Sequence, residues 1–282
     1  MDIYGVIGWP IKHSLSPAMH NAAFKALGID AEYKLFEIKP EELEDFILKR
    51  KDAAGFNVTV PHKEKCMALL DSIDPLAASI GAVNTIVIKN GKLAGYNTDS
   101  VGFITALEKD LAFSVKGKSI FVLGSGGASR AVSFSLARTG AKKIILTDLF
   151  LDKVKSLADN VRKFYPGCKV DILEPKKIYR EADLSGIDLL VNATPVGLKE
   201  SDPVLFDKGA LKKGLAVYDL VYNPEKTKLV KLALDSGLKA SGGMSMLLYQ
   251  GAESFRLWTG KTAPVDIMKT TIQFNNVVFP VV

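Results

Sequence analysis

Ser119-Ile120-Phe121-Val122-Leu123-Gly124-Ser125-Gly126-Gly127-Ala128-Ser129-Arg130 decides the fold. The apolar run Ser119 to Leu123 reads as a buried strand, and Ala128 to Thr139 reads as a helix ended by Gly140. A glycine-rich turn between such elements leaves backbone N–H groups aimed at a pyrophosphate, where the helix dipole adds to them. Gly124, Ser125, Gly126, Gly127 and Ala128 are therefore the candidate cradle. The match to G-x-G-x-x-G is imperfect, since Ser129 holds the third glycine position. Asp148 ends the next strand, Lys143 to Thr147, at about the spacing where an acidic residue meets a ribose.

Outward from that turn, strands at Lys169 to Leu173, Asp188 to Asn192 and Leu215 to Leu220, with helical material between them, make a doubly wound dinucleotide-binding unit. Upstream, strands and helices also alternate. Strands are expected at Ile3 to Gly8, Glu32 to Ile38 and Phe56 to Val60. Ser16 is expected to cap a helix whose first residue is Pro17, Pro40 to Lys51 forms another, and helices start at His62 and Pro75. Asn90-Gly91, between Thr85 to Lys89 and Lys92 to Tyr96, is a type I′ hairpin signal. After Gly242-Gly243 come helices near Ser245 to Trp258 and Pro264 to Asn275. The expected fold class is α/β with two domains, residues 101–242 being the Rossmann-type nucleotide domain and residues 1–100 with 243–282 a discontinuous substrate domain. Short hinges are expected near Ser100 and Gly242.

With 282 residues, 48% hydrophobic and 24% charged, the composition is that of an ordinary globular protein. The net charge of +6 is spread in small groups such as Lys49-Arg50-Lys51, not in a basic stripe interleaved with aromatics, which argues against nucleic acid. The absence of a membrane-length apolar run and of a basic-then-apolar start leads to the expectation of a cytoplasmic protein with no membrane partner. Cys66 and Cys168 have no partner spacing, and His13, His20 and His62 have no ligand partners in sequence, so no metal is expected and the histidines are read as helix surface or packing.

Polar residues in the first hundred carry the chemistry. Asn57 and Thr59 share one face of their strand, and Lys63 follows its carboxyl end, where open α/β sheets bind ligands. Asp99 opens a helix and could be a simple N-cap, with Asn97 a turn residue. Yet Asn84, Asn97 and Asp99 bracket one hairpin and can converge at one end of it, forming a ring for hydroxyls. Ser14 and Ser16 precede a helix and can hold a carboxylate, Ser14 being free of capping duty. Removing a hydride from an alcohol carbon also requires removal of the hydroxyl proton, which makes Lys63 and Asp99 the candidate acid/base pair.

Seven segments resemble the shikimate dehydrogenase family, in its order and over nearly the whole chain: Lys12-His13-Ser14-Leu15-Ser16-Pro17, Phe56 to Lys63, Gly81-Ala82-Val83-Asn84-Thr85, Gly95-Tyr96-Asn97-Thr98-Asp99, Gly124 to Ala131, Asn192-Ala193-Thr194-Pro195-Val196-Gly197 and Asp219-Leu220-Val221-Tyr222-Asn223-Pro224. The resemblance implies reversible reduction of 3-dehydroshikimate to shikimate with a nicotinamide cofactor, on the way to aromatic amino acids. It implies Lys63 and Asp99 as the catalytic pair and Ser14, Ser16 and Tyr222 at the substrate carboxylate. Thr59, Asn84, Asp99 and Gln250 would meet ring hydroxyls, while Thr194 and Met246 would serve the cofactor. It also implies an active-site cleft between the two domains and a monomer or homodimer.

One departure bears on the cofactor. NADP-dependent members end the second strand of the nucleotide domain with an asparagine-arginine pair, whereas this chain has Thr147-Asp148-Leu149-Phe150. A carboxylate there accepts from a ribose 2′-OH and repels a phosphate, so NAD is expected in place of NADP, with Lys153 and Arg130 as the candidates to meet a phosphate. NAD use is also similar to the quinate/shikimate branch, while paired serines at 14 and 16 look like the shikimate-preferring pattern. A catalytically silent regulatory relative would not need Lys63 with Asp99. A tetrahydrofolate dehydrogenase-like enzyme would not explain Ser14-Leu15-Ser16.

Overall fold

Among the described residues, hydrophobic alternation and turn chemistry resolve into two six-stranded sheets. The structure is a computed structural model and describes residues 1–175 and 184–278. Residues 176–183, where much of the helical material after the strand at Lys169 is expected, lie outside the described residues. The chain divides into two compact units, Met1–Gly102 with Leu248–Val282, and Phe103–Leu247.

In the first unit, β1 (Asp2–Gly8), β2 (Ala31–Glu37) and β3 (Gly55–Val58) pair in parallel, with α1 (Ser16–Ala26) and α2 (Leu43–Lys49) along the chain between them. After a 3₁₀ turn at Lys65–Leu69 come β4 (Ser72–Ile73), α3 (Pro75–Ile80), β5 (Thr85–Lys89) and β6 (Lys92–Tyr96). The sheet order is β2-β1-β3-β5-β6-β4, and β5 runs antiparallel to both neighbours. Asn90 and Gly91 take φ of 52° and 72° between the paired Lys89 and Lys92, the left-handed pair that an Asn-Gly hairpin requires. Ile7, Ile47, Phe56, Cys66, Val83 and Ile86 are buried on one side of this sheet. Each such apolar side chain contributes about 1.5 to 3 kcal/mol when fully removed from water.

Several expectations change here. Ser16 does not cap α1; Leu15 is the N-cap residue and Ser16 the first helical one, while Ser14 Oγ accepts the Ser16 N–H at 3.3 Å. Pro17, which lacks an N–H, follows inside the first turn, and Ser14 is placed to accept from the Ser16 N–H before it. The α-helix expected from His62 is only the short 3₁₀ segment, and β3 ends at Val58, before Thr59 and the exposed Val60.

After α4 (Asp99–Leu111), the second unit contains β7 (Ser119–Leu123), α5 (Gly127–Arg138), β8 (Lys143–Thr147), α6 (Leu151–Phe164), β9 (Lys169–Ile172), β10 (Leu189–Asn192), β11 (Ala216–Asp219), α7 (Lys228–Asp235) and β12 (Lys239–Ser241). Its strands are parallel in the order β12-β11-β10-β7-β8-β9, with the order reversing between β10 and β7, the switch point where dinucleotide folds bind ligands. β7, β10 and β11 are almost wholly buried, as a doubly covered parallel sheet requires. Then α8 (Met244–Thr259) and α9 (Val265–Val278) close the chain. The second division of the chain falls inside α8, after Leu247, and not at Gly242-Gly243. Among the described residues no helix is long and apolar enough to cross a membrane.

His20 sits in the aromatic core of the first unit. Its ring stacks on Tyr33 at 4.5 Å and 8°, with Phe24 and Trp258 nearby, and neither ring nitrogen has a hydrogen-bond partner among the described residues. Burial pushes its pKa from 6.5 down to about 3. The depressed value means that stability is complete above pH 6.5 and is lost as pH falls towards 3. Between pH 7 and pH 5 this one group removes about 2 kcal/mol. His20→Phe should therefore lose less stability over that interval than the unmodified protein, measured by denaturant unfolding at the two pH values. Equal losses would contradict the assignment.

Candidate active site

β3, the β5–β6 hairpin, α4 and α8 bring one set of polar side chains together within the first unit. The Lys63 backbone is fixed by its carbonyl, which accepts the Val83 N–H at 2.8 Å. Its Nζ donates to Asp99 Oδ2 at 2.5 Å, with side-chain exposures of 13% and 7%. Asp99 is the first residue of α4, where the dipole favours a carboxylate. It is nevertheless more than a cap. Asn97 Oδ1 accepts the Ser100 N–H at 3.3 Å, whereas the Asp99 oxygens go to Lys63 and to Asn84 Nδ2 at 2.9 Å.

Asn84 has its orientation set by the backbone. Its Oδ1 accepts the Thr98 N–H at 2.7 Å, which an amide nitrogen cannot do, so Nδ2 must face Asp99 and, at 3.4 Å, Gln250 Oε1. Beneath it lies a buried cluster that the sequence motifs do not announce. Asn57 Nδ2 donates towards the Asn84 carbonyl, Thr85 Oγ1 and Ser254 Oγ at 3.2, 3.1 and 2.9 Å, while Asn57 Oδ1 accepts from the Tyr33 hydroxyl at 2.8 Å. The strand pattern marks Asn57 as polar, but its partners come from sites far away in sequence. Ser14 and Ser16 stand together at the start of α1, and Thr59 is half-buried against Gly8 just past β3. His62 is packing: its Nε2 lies 2.7 Å from the Ile38 carbonyl, and burial lowers its pKa.

In the second unit the glycine turn has the features of a dinucleotide cradle. Gly124 has φ of 109°, and a Cβ there would stand 2.7 Å from the Ala193 carbonyl oxygen, so no other residue fits. A Cβ at Gly126, the N-cap of α5, would meet no atom within 4 Å, leaving the N-terminal amides open to a phosphate. Ser129 fits the third glycine position because its hydroxyl turns back to the Gly124 carbonyl at 2.6 Å. Ser125 Oγ donates to Asp148 Oδ2 at 2.7 Å, and the Phe150 N–H donates to Oδ1 at 3.3 Å. Leu149 and Phe150 are 76% and 63% exposed, and the Lys153 ammonium lies 5.2 Å from the Phe150 ring centre.

Thr194 is held in its loop by Asn192, whose Oδ1 accepts from both its N–H and its hydroxyl. Asn192 is itself fixed by Asp219, which also accepts from the Val221 N–H and the Thr227 hydroxyl. Burial outweighs these three donors and raises the Asp219 pKa to about 6. Three residues past the end of β11, Tyr222 has a phenol whose pKa burial also raises. Met246 is buried in the first turn of α8.

Two family models match the chain: the shikimate dehydrogenase substrate-binding domain over residues 6–86 and the shikimate 5′-dehydrogenase C-terminal domain over residues 243–273. A Methanopyrus kandleri protein named shikimate dehydrogenase (NADP(+)) is 43% identical over 275 residues, 96% of this chain and 94% of that protein. The crystal structure of Aquifex aeolicus shikimate dehydrogenase superposes with a TM-score of 0.88 at 40% identity, covering 97% of this chain and 98% of that one. That of Listeria monocytogenes shikimate 5-dehydrogenase, in complex with shikimate and NAD, gives 0.87 at 33% identity, covering 99% of this chain and 96% of that one.

Proposed function

The chain belongs to the shikimate dehydrogenase family of NAD(P)-dependent oxidoreductases, and from that premise we propose how its own residues divide the work. The observation that carries the reading is the buried Lys63–Asp99 pair with the Asn84 amide on its second oxygen. A bound nicotinamide nucleotide supplies the hydride acceptor or donor. Lys63 Nζ, as the neutral amine, takes the proton of the reacting hydroxyl when shikimate is oxidised, and as the ammonium returns it when the ketone is reduced. Asp99 keeps the ammonium in place and, with Asn84, Gln250 and Thr59, receives the ring hydroxyls. Ser14 and Ser16 at the start of α1 hold the substrate carboxylate. The family resemblance adds Tyr222 for the carboxylate and Thr194 and Met246 for the cofactor.

Gly124 to Ala128 suit the pyrophosphate, and the end of β8 favours NAD. Asp148 is oriented by Ser125 as an acceptor for a ribose hydroxyl, and its charge repels a 2′-phosphate by about 1 to 4 kcal/mol. Leu149 offers no compensating cation, and Lys153 lies against the Phe150 ring. The Methanopyrus relative is named with NADP and the Listeria structure with NAD, and the reading rests on this chain's own residues at the end of β8.

Lys63→Ala should lower kcat for shikimate oxidation by about 100-fold or more with the far-UV circular dichroism unchanged. A variant that kept most of its kcat would remove Lys63 from the chemistry. For the cofactor, kcat/KM should be higher with NAD than with NADP, and Asp148→Asn with Leu149→Arg should reverse the order, mainly through KM. A clear NADP preference in the unmodified protein would refute the reading of β8.

A further inference from the structure

We propose that Ser254 is a positioning residue for substrate binding, setting Gln250 and the floor under Asn84; this rests on the assignment of both residues to the ring hydroxyls. Ser254 is fully buried on α8, one helical turn after Gln250, so the two side chains share a face. Its hydroxyl donates to the Gln250 carbonyl at 3.0 Å, and its oxygen accepts from Asn57 Nδ2 at 2.9 Å. It also lies 2.8 Å from Thr85 Oγ1 and 3.1 Å from Thr98 Oγ1.

Those threonines are the groups that surround Asn84 Oδ1. Thr85 Oγ1 lies 3.1 Å from it, Thr98 Oγ1 3.2 Å, and the Thr98 N–H 2.7 Å. One serine thus joins the helix that carries Gln250 to the hairpin that carries Asn84. A helix that slides or turns slightly in an apolar groove finds nearly equal packing nearby, because dispersion and hydrophobic contacts are not directional. The hydrogen bonds that a buried hydroxyl gives to one fixed partner and accepts from others are directional. Gln250 Oε1 and Asn84 Nδ2 meet at 3.4 Å, a separation that a small displacement of α8 would break. Asn57 extends the same restraint to Tyr33, whose ring is stacked on His20 in the core.

Polar groups at this point therefore set the register of α8, so that the Gln250 amide arrives at the substrate already oriented. Ser254 touches neither the reacting hydroxyl nor the Lys63–Asp99 pair, so its effect belongs in substrate KM more than in kcat.

Steady-state kinetics of Ser254→Ala, Gln250→Ala and the double variant with shikimate test this, with the cofactor KM measured alongside. Ser254→Ala should raise the shikimate KM about three- to tenfold, the scale of one weakened hydrogen bond, and leave the cofactor KM within about twofold. In the Gln250→Ala background the same change should alter the shikimate KM by less than about twofold. An undiminished effect in that background, or no effect in either, would overturn the proposal. If Ser254→Ala fails to fold, Thr85→Val removes the hydroxyl that links Ser254 to Asn84 and is held to the same two criteria. Should Gln250→Ala by itself leave the shikimate KM unchanged, the site assignment and the proposal resting on it both fall. A Gln250→Ala effect without a Ser254→Ala effect overturns only the positioning role.

Discussion

Lys63 Nζ and Asp99 Oδ2 make an ion pair that has lost most of its water. Removing either ion from water costs several kcal/mol, and mutual attraction offsets this only when the geometry is close and further hydrogen bonds satisfy the carboxylate. Both conditions are met within the first unit. Val83 fixes the Lys63 backbone, α4 begins at Asp99, and the Asn84 amide covers the second carboxylate oxygen. The cis Val60-Pro61 turn after β3 and the Asn90-Gly91 hairpin are local geometries in the segments leading to these groups. The buried cluster of Asn57, Thr85, Thr98 and Ser254 lies beneath Asn84, so each layer of polar groups restrains the next.

The second unit uses backbone geometry where the first uses side chains. Gly124 is required by its positive φ and by its approach to the Ala193 carbonyl, and Ser129 replaces the usual third glycine by turning its hydroxyl back to the same turn. The turn is thus held from both ends. Ser125, inside it, orients Asp148 at the end of the neighbouring strand. Asp219, at the end of β11, has a comparable role, fixing Asn192 and through it the Thr194 loop.

Residues whose role is local were legible in the sequence. The Gly124 turn, the strand before it and the Asn-Gly hairpin each follow from a short stretch of chain, and the strands β5, β6, β7 and β8 have the ends that the pattern of apolar residues predicts. Asp99 illustrates the limit: at the start of a helix it reads by itself as a cap, and the distances to Lys63 and Asn84 make it a charge partner. Ser16 shows the opposite error, since a serine before a proline looks like a cap although Ser14 accepts its N–H. Ser254 was not visible at all. A serine on an amphipathic helix has no signature, because its partners Asn57, Thr85 and Thr98 lie more than a hundred and fifty residues earlier. The two-residue β4 and three-residue β12 are likewise too short to show a period.

If the buried ion pair organises the chemistry, Lys63 and Asp99 act as one unit, and a double-mutant cycle measures that directly. The kcat of Lys63→Ala, Asp99→Ala and the double variant should be compared at saturating shikimate and cofactor. Residues that work as a unit are strongly non-additive, so the double variant should be about as slow as the slower single one. If the two losses instead multiply, the residues contribute independently, and the 2.5 Å contact between them is not what organises the site.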